Sequence, residues 1–370
     1  MNKKNIKTPY YLIEENKLLE NMKKIAYIRE QSGAKFVLAL KCFSAWCVFP
    51  LMSKYMDGTT SSALYEAKLG YEKFGKEVHA YSVAYPKEEI LELKKFADKI
   101  IFNSISQLER FYPIVKNKNL GIRVNPKISY SNFDLADPAR KYSRLGVINK
   151  KEILNNLDKI DGLMFHFNCE NEDVNFLEKS FIYIGKRYST ALKKVNWISF
   201  GGGIYFTKAD YNIEKFCKIL KDFSKKYNVQ IFLEPGESSI TMSAKLVTSV
   251  LDITKNEKNI AVVDSSTEAH MLDLLTYHTP AKMAKQKNAK YEYIVAGRTC
   301  LAGDVFGTYK FSKPLKVGDK IEFEDVAGYS MVKMNWFNGV KMPSIVVKRL
   351  NGKIDIIRNF TYKDFINNLS

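Results

Sequence analysis

The sequence predicts an α/β protein, a parallel (β/α)8 barrel followed by an antiparallel β domain. Three observations predict it. Apolar strand-like runs alternate with amphipathic helical stretches from about residue 10 to 235. From about residue 238, short β-rich runs separated by Gly, Asp and Asn turns take over. Residues capable of chemistry recur at the ends of the first set of runs. Repeated βα units with continuous apolar strands imply a sheet buried on both faces, and their number favours closure into a barrel.

The barrel strands are read at Phe36–Leu40, Val78–Val83, Lys99–Asn103, Leu120–Asn125, Gly162–Asn168, Trp197–Phe200 and Gln230–Glu234. Periodic segments such as Glu88 to Ala97 and Val174 to Leu192 lie between them as helices. The second domain carries strands at Lys245–Ile253, Asn259–Val263, Tyr291–Ala296, Lys320–Phe323, Ser344–Arg349 and Asp355–Arg358. Val317-Gly318-Asp319 and Leu350-Asn351-Gly352-Lys353 supply turns between them. The expected domains are therefore 12–237 for the barrel and 238–370 for the β domain, the latter joined by a strand near residues 1–11.

The 370 residues suffice for two cores, and no run is apolar enough to span a bilayer. The basic start Met1 to Lys7 has no apolar stretch after it, so it does not read as a secretory signal. Five cysteines without CxxC or Cys/His spacing read as reduced thiols in a cytoplasmic protein, with no metal site. A net charge of +18 raises nucleic acid as a partner. However, the lysines are scattered along helical patterns such as Lys215 to Lys221, where they read as solvated faces. No zinc-finger spacing, RNP-like strand or basic arm is present, so neither nucleic acid nor membrane is expected as a partner.

Lys41 ends the apolar run Phe36–Leu40. An ammonium is costly to bury, so a lysine there either reaches solvent or is chemically used. The desolvated neutral amine is the form that attacks an aldehyde. Gly201-Gly202-Gly203, after Trp197–Phe200, reads as a tight turn or as an anion cradle of backbone N–H groups. Glu234-Pro235-Gly236-Glu237 closes the next strand; Glu234 is either a turn carboxylate or an acid aimed into the barrel mouth, where it can hold the proton of a pyridinium ring. His166 is a packed strand-end histidine or an imidazole stacked on a flat cofactor. Gly297 to Asp304 sets Cys300 and Asp304 in a glycine-bounded loop, as packing or as a proton donor beside an acid. Tyr329 follows a glycine turn and is able to donate to a phosphate. A lysine, a phosphate loop, a ring-nitrogen acid and an imidazole in barrel order are the parts that a pyridoxal phosphate enzyme needs.

These motifs resemble the alanine-racemase-fold (type III) pyridoxal phosphate decarboxylases, the group with ornithine and diaminopimelate decarboxylases. The resemblance runs from Thr8-Pro9-Tyr10-Tyr11 to Asn335-Trp336-Phe337-Asn338-Gly339. It is carried by Ala39-Leu40-Lys41-Cys42, His166 to Glu170, Glu234 to Ser238, Asp264 to Met271 and the Cys300 loop. It implies that Lys41 holds pyridoxal 5'-phosphate covalently, that His166 stacks on the ring and that Glu234 pairs with the ring nitrogen. It also implies that Gly201, Gly202 and Gly203, with Gly236 nearby and Tyr329, hold the phosphate. It further implies a homodimer in which the Cys300 and Asp304 loop crosses to the partner's barrel, Cys300 protonating the substrate carbon after carbon dioxide leaves.

One position departs from the pattern. The residue after the cysteine is acidic in ornithine and diaminopimelate decarboxylases but is Leu301 here. A carboxylated polyamine is therefore expected in place of a short basic amino acid such as ornithine, lysine or diaminopimelate. Glu237 and Asp273 are the expected amine-binding acids, with Asp304, Glu268 and His270 as further contacts. An amino-acid racemase of the same fold is the nearest rival activity. It would pair the ring nitrogen with arginine, whereas Glu234 favours decarboxylation.

Overall fold

The computed structural model describes residues 6–370. The chain divides into two compact units: Leu19–Ser239, and the residues up to Leu18 together with Ile240–Ser370. The first strand, β1 (Tyr10–Glu14), belongs to the second unit. It sits a few residues later than the sequence suggested, and residues 1–5 lie outside the described residues.

The first unit is a closed parallel barrel. Its strands are β2 (Lys35–Ala39), β3 (Gly58–Ser61), β4 (Glu77–Tyr81), β5 (Lys99–Phe102), β6 (Asn119–Arg123), β7 (Gly162–Met164), β8 (Trp197–Ser199) and β9 (Gln230–Leu233). β9 pairs back with β2, with Lys35 opposite Phe232. Strand β3, Gly-Thr-Thr-Ser, had no apolar signature to reveal it. Its Gly58 is required by close approach, since a Cβ there would lie 2.1 Å from the Glu77 carbonyl oxygen. The run from Gly162 leaves the sheet after Met164, which frees the backbone around His166 for loop geometry.

The surrounding helices follow the expected periodicity. In Ile213–Tyr227, Phe216, Cys217, Ile219, Leu220, Phe223 and Tyr227 are buried on one face. The Asn212 side chain caps its start by accepting from the Lys215 N–H at 2.9 Å, and Asn228 ends it in the left-handed region. Its lysines face solvent, with Lys218 paired to Asp222 one turn on at 2.8 Å.

Val37, Tyr81, Ile101, Met164, Trp197 and Phe232 fill the barrel interior. Trp197 occupies the space that Gly162 leaves: a Cβ at that glycine would lie 2.0 Å from the indole. At the amino ends of the strands, Glu77 binds Lys35 and Lys99, each at 2.7 Å, and the His79 Nε2 at 3.1 Å. Lys99 is also 4.6 Å from the Phe232 ring centroid. This end of a barrel serves stability, because the chemistry collects at the other.

This cluster makes the barrel acid-sensitive. Burial pushes the His79 imidazole down from 6.5 to about 4. The Glu77 carboxyl is held well below the ordinary range, first by the His79 hydrogen bond and then, against the cost of burial, by Lys35 and Lys99. Both groups bind fewer protons folded than unfolded, so their contribution is complete above pH 6.5. His79 loses its share between pH 6.5 and about 4, and Glu77 loses its own at still lower pH. Glu77→Gln strands Lys99, which is 10% exposed, and should cost about 3 kcal/mol at neutral pH. Thermal melts of both proteins from neutral to acidic pH check this: the variant should start lower and its curve should flatten in the acid range.

The second unit is an eight-stranded sheet in the order β13-β12-β11-β10-β1-β15-β16, with β14 also on β10. These strands are β10 (Ala244–Asn256), β11 (Lys258–Val263), β12 (Tyr291–Ala296), β13 (Val305–Phe311), β14 (Lys320–Glu324), β15 (Ser344–Lys348) and β16 (Ile354–Arg358). Most pairings are antiparallel as expected, but β1–β15 and β11–β12 are parallel. Parallel neighbours join segments far apart in sequence, so no turn motif announces them. Tyr10, Leu12, Val247 and Val346 pack as the core of this sheet.

Candidate active site

The barrel mouth is built from the carboxyl ends of its strands. Lys41 stands two residues past β2, where a tight turn returns the Cys42 N–H to the Ala39 carbonyl at 3.1 Å. Lys41 is solvent-exposed as a residue, while its ammonium nitrogen is set among protein atoms. This desolvation lowers its pKa, helped by repulsion from Arg123 and opposed by Glu234, Cys42 and Glu66.

Glu234 follows β9 and is 6% exposed. Its Oε1 accepts from the Ser199 hydroxyl at 2.5 Å and its Oε2 from the Thr60 hydroxyl at 3.3 Å. Burial raises its proton affinity above the ordinary value, while Ser199, Lys41 and Arg123 restrain the rise. An acid so placed is fitted to share a proton with a basic ring nitrogen.

His166 follows β7. The Gly202 N–H donates to its Nδ1 at 3.1 Å, which places the ring proton on Nε2. Burial, then Lys41 and Arg123, hold the imidazole pKa well below the ordinary value, so the ring is neutral and suited to stacking.

The glycine run is dictated by its neighbours. Gly201 (φ +67°) and Gly203 (φ +78°) adopt left-handed backbone. A Cβ at Gly201 would lie 2.2 Å from His166 Nδ1, and one at Gly203 would lie 2.1 Å from the Asn168 carbonyl oxygen. At Gly202 the obstacle is the Glu234 carbonyl at 2.3 Å, and at Gly236 it is Cys42 Cβ at 2.6 Å. The loop therefore locks β7, β8 and β9 together while presenting backbone at the mouth. Gly203→Ala should weaken pyridoxal phosphate binding by roughly ten-fold or more, since strain and contact each cost about 1 kcal/mol. Titrating the stripped protein with cofactor measures it.

Glu237 belongs to the same unit and accepts from the Tyr205 hydroxyl at 2.6 Å. The other expected site residues lie in the β unit. Cys300 is exposed, its backbone N–H held by Asn338 Oδ1 at 2.7 Å, and Leu301 beside it is exposed too. Asp304 is buried and accepts from the N–H and hydroxyl of both Thr267 and Thr299, so its carboxylate is committed to holding the loop. Asp273 is ion-paired with Lys333, whose ammonium also lies 5.0 Å from the Tyr329 ring centroid. Glu268 is half-buried in the short helix Thr267–His270. His270 is buried, its Nδ1 2.8 Å from the Ser265 hydroxyl, and burial pushes its pKa down to about 3.

Sequence reasoning did not single out Arg123, Tyr81, Ser199 or Thr60. An arginine inside the apolar run Leu120–Asn125 was the available signal, since a charge in a buried strand needs a reason. The hydroxyl partners of Glu234 had none.

A glycine cradle, a buried acid of raised proton affinity, a neutral imidazole and a desolvated lysine fit pyridoxal phosphate. Among the described residues, no cluster of His, Cys, Asp and Glu could hold a metal ion. No helix of the described residues is long and apolar enough to cross a membrane.

Comparison with known proteins agrees. Residues 81–327 match the family model described as "Pyridoxal-dependent decarboxylase, C-terminal sheet domain". The chain is 51% identical over 365 residues to the carboxynorspermidine/carboxyspermidine decarboxylase of Herminiimonas arsenicoxydans, covering 99% of this chain and all of the relative. It is 33% identical to the carboxyaminopropylagmatine decarboxylase of a Synechocystis species, covering 98% and 95% respectively. A crystal structure of carboxynorspermidine decarboxylase complexed with norspermidine, from Campylobacter jejuni, superposes with a TM-score of 0.91 at 37% identity, covering 98% of this chain and all of that one. The chain belongs to the pyridoxal-dependent decarboxylase family and uses pyridoxal phosphate.

Proposed function

We propose that this enzyme decarboxylates carboxynorspermidine or carboxyspermidine, releasing norspermidine or spermidine in polyamine biosynthesis. The observation that carries the substrate is the end-to-end 51% identity to a decarboxylase named for it. The buried Glu234 in the same barrel as Lys41 supports the reaction type. Bound pyridoxal phosphate supplies an aldehyde for the substrate amine and a ring that accepts the electron pair left when carbon dioxide departs.

The chain's own residues supply the rest. Lys41 would hold the cofactor through its amine at the barrel mouth. Glu234, oriented by Ser199 and Thr60, keeps a proton at the ring nitrogen. His166 supports the ring face, its tautomer fixed by Gly202. Gly201 to Gly203 bind the phosphate, with Gly236 packing the adjoining turn and Tyr329 donating to it. Glu237 and Asp273 recognise substrate amines, Asp273 exchanging its Lys333 partner for them, with Glu268 and His270 as further contacts. Asp304 acts through the loop it holds. Leu301 leaves no acid for a short basic amino acid at that position.

The Cys300 loop completes the site of a partner subunit in a homodimer, where its thiol returns the proton to the substrate carbon. Cys300→Ala should lower kcat by roughly 10²–10⁴-fold. Mixing it with Lys41→Ala should restore about a quarter of wild-type activity, because half the subunits pair with the other variant and each such pair has one intact site. No recovery after subunit exchange would place Cys300 in its own subunit's site. With five cysteines all present as thiols, the enzyme fits the reducing cytoplasm.

The test is carbon dioxide release from carboxynorspermidine, carboxyspermidine, carboxyaminopropylagmatine, ornithine, lysine and diaminopimelate. Either of the first two should be preferred; preference for any of the others would overturn the substrate assignment.

A further inference from the structure

The Cys300 peptide is held more firmly than an exposed loop requires. The Thr299 N–H donates to Asp304 Oδ2 at 3.1 Å, and the Leu301 carbonyl accepts from the Asp304 N–H at 3.0 Å. Between them, the Cys300 N–H donates to Asn338 Oδ1 at 2.7 Å. Successive residues are therefore pinned from two sides, by Asp304 and by Asn338. Asn338 lies in a tight turn closed by the Val340 N–H on the Phe337 carbonyl at 3.1 Å. Asn338 (φ 53°, ψ 16°) and Gly339 (φ 64°) both have left-handed backbone, which a type I′ turn requires and which Asn-Gly adopts most readily. Asn335 anchors this turn, accepting from the Phe337 N–H at 2.8 Å and donating to the Glu268 carbonyl at 3.1 Å. Thr267, in the same short helix as Glu268, donates to Asp304. Both sides of the clamp thus rest on one frame, the helix Thr267–His270.

We propose that Asn338 is a positioning residue that aims the Cys300 thiol, which makes the Phe337–Val340 turn part of the proton-delivery machinery. A single side-chain torsion separates the Cys300 backbone from its sulfur, so fixing the peptide confines the thiol to about three staggered positions. Proton delivery breaks the S–H bond and forms a C–H bond at the carbon that carbon dioxide has left; the thiolate then recovers a proton from water. The transfer needs heavy atoms within hydrogen-bond reach, and a misplacement of about 1 Å can cost about 10²-fold in rate. Asn338 and Cys300 are both exposed, so water could satisfy the Cys300 N–H without loss of fold. What the contact adds is geometry.

The proposal rests on the reading of Cys300 as proton donor and on no particular substrate. Its test uses the holoenzyme with whichever of carboxynorspermidine, carboxyspermidine, carboxyaminopropylagmatine, ornithine, lysine and diaminopimelate it decarboxylates fastest. Asn338→Gly keeps the left-handed turn and removes the acceptor. It should lower kcat by roughly 10–10²-fold, with KM and melting temperature close to wild type. Asn338→Asp keeps both turn and acceptor and should restore most of the rate. The double variant Cys300→Ala/Asn338→Gly should be no slower than Cys300→Ala, because without the thiol nothing is left to aim. A turn that only supports the fold would lower the melting temperature and slow the Cys300→Ala enzyme further. Asn338→Gly at the wild-type rate, equal losses in the Gly and Asp variants, or additive losses in the double variant would overturn the proposal while Cys300 remained the donor. Full activity in Cys300→Ala would instead remove the donor itself, and the proposal with it.

Discussion

Lys41→Ala should lose both turnover and the visible absorbance of bound cofactor, with activity falling to below roughly one thousandth of wild type. The proposed attachment point for the cofactor vanishes with the amine. The fold should be untouched, because the change removes a desolvated amine from an exposed position rather than a packed side chain. A melting temperature at or above that of the stripped wild-type protein, with no visible band after mixing with pyridoxal phosphate, is the expected combination. A variant that kept both activity and colour would remove Lys41 from the chemistry.

Glu234→Gln should lower kcat by roughly 10²–10³-fold and leave KM little changed. The amide still accepts from the Ser199 hydroxyl but cannot keep a proton on a ring nitrogen, so electron withdrawal fails where negative charge develops. Stability should move by no more than about 1 kcal/mol, since an uncharged side chain of the same shape replaces a group that burial already disfavours as an anion. Carbon dioxide release measured beside a thermal melt separates the two effects. A large loss of stability with unchanged kcat would make Glu234 a structural acid.

Much of this architecture is legible in the sequence because its signals are local. Apolar runs mark buried parallel strands, and Lys41, His166, Gly201 and Glu234 fall at or beyond strand ends, where barrel chemistry collects. Strand β3 was invisible because Gly58-Thr59-Thr60-Ser61 pairs by backbone and carries no bulky apolar residue. Its Thr60 then supplies a hydroxyl to Glu234, a contact across 174 residues that no periodicity reveals. Strand β13 is hidden similarly: in Val305–Phe311, only Phe306 and Phe311 are buried.

The distinction between an acid that binds and an acid that builds also lies beyond sequence. Asp304 sits beside a candidate thiol in a glycine-bounded loop, which suggests chemistry, yet both oxygens are engaged by Thr267 and Thr299. Arg123 shows the converse. It reads as one polar residue in a strand until Tyr81 and Asn103, 42 and 20 residues before it, are seen to hold it.

The most direct test of the central claim, that this barrel mouth is a pyridoxal phosphate site assembled on Lys41, is to locate the covalent attachment. Borohydride reduction of the native holoenzyme, followed by proteolysis and peptide mass spectrometry, fixes the cofactor to the lysine that carries it. One labelled peptide is expected, containing Leu40-Lys41-Cys42, with the label on Lys41. A label on any other lysine, or none on a fully active enzyme, would contradict it.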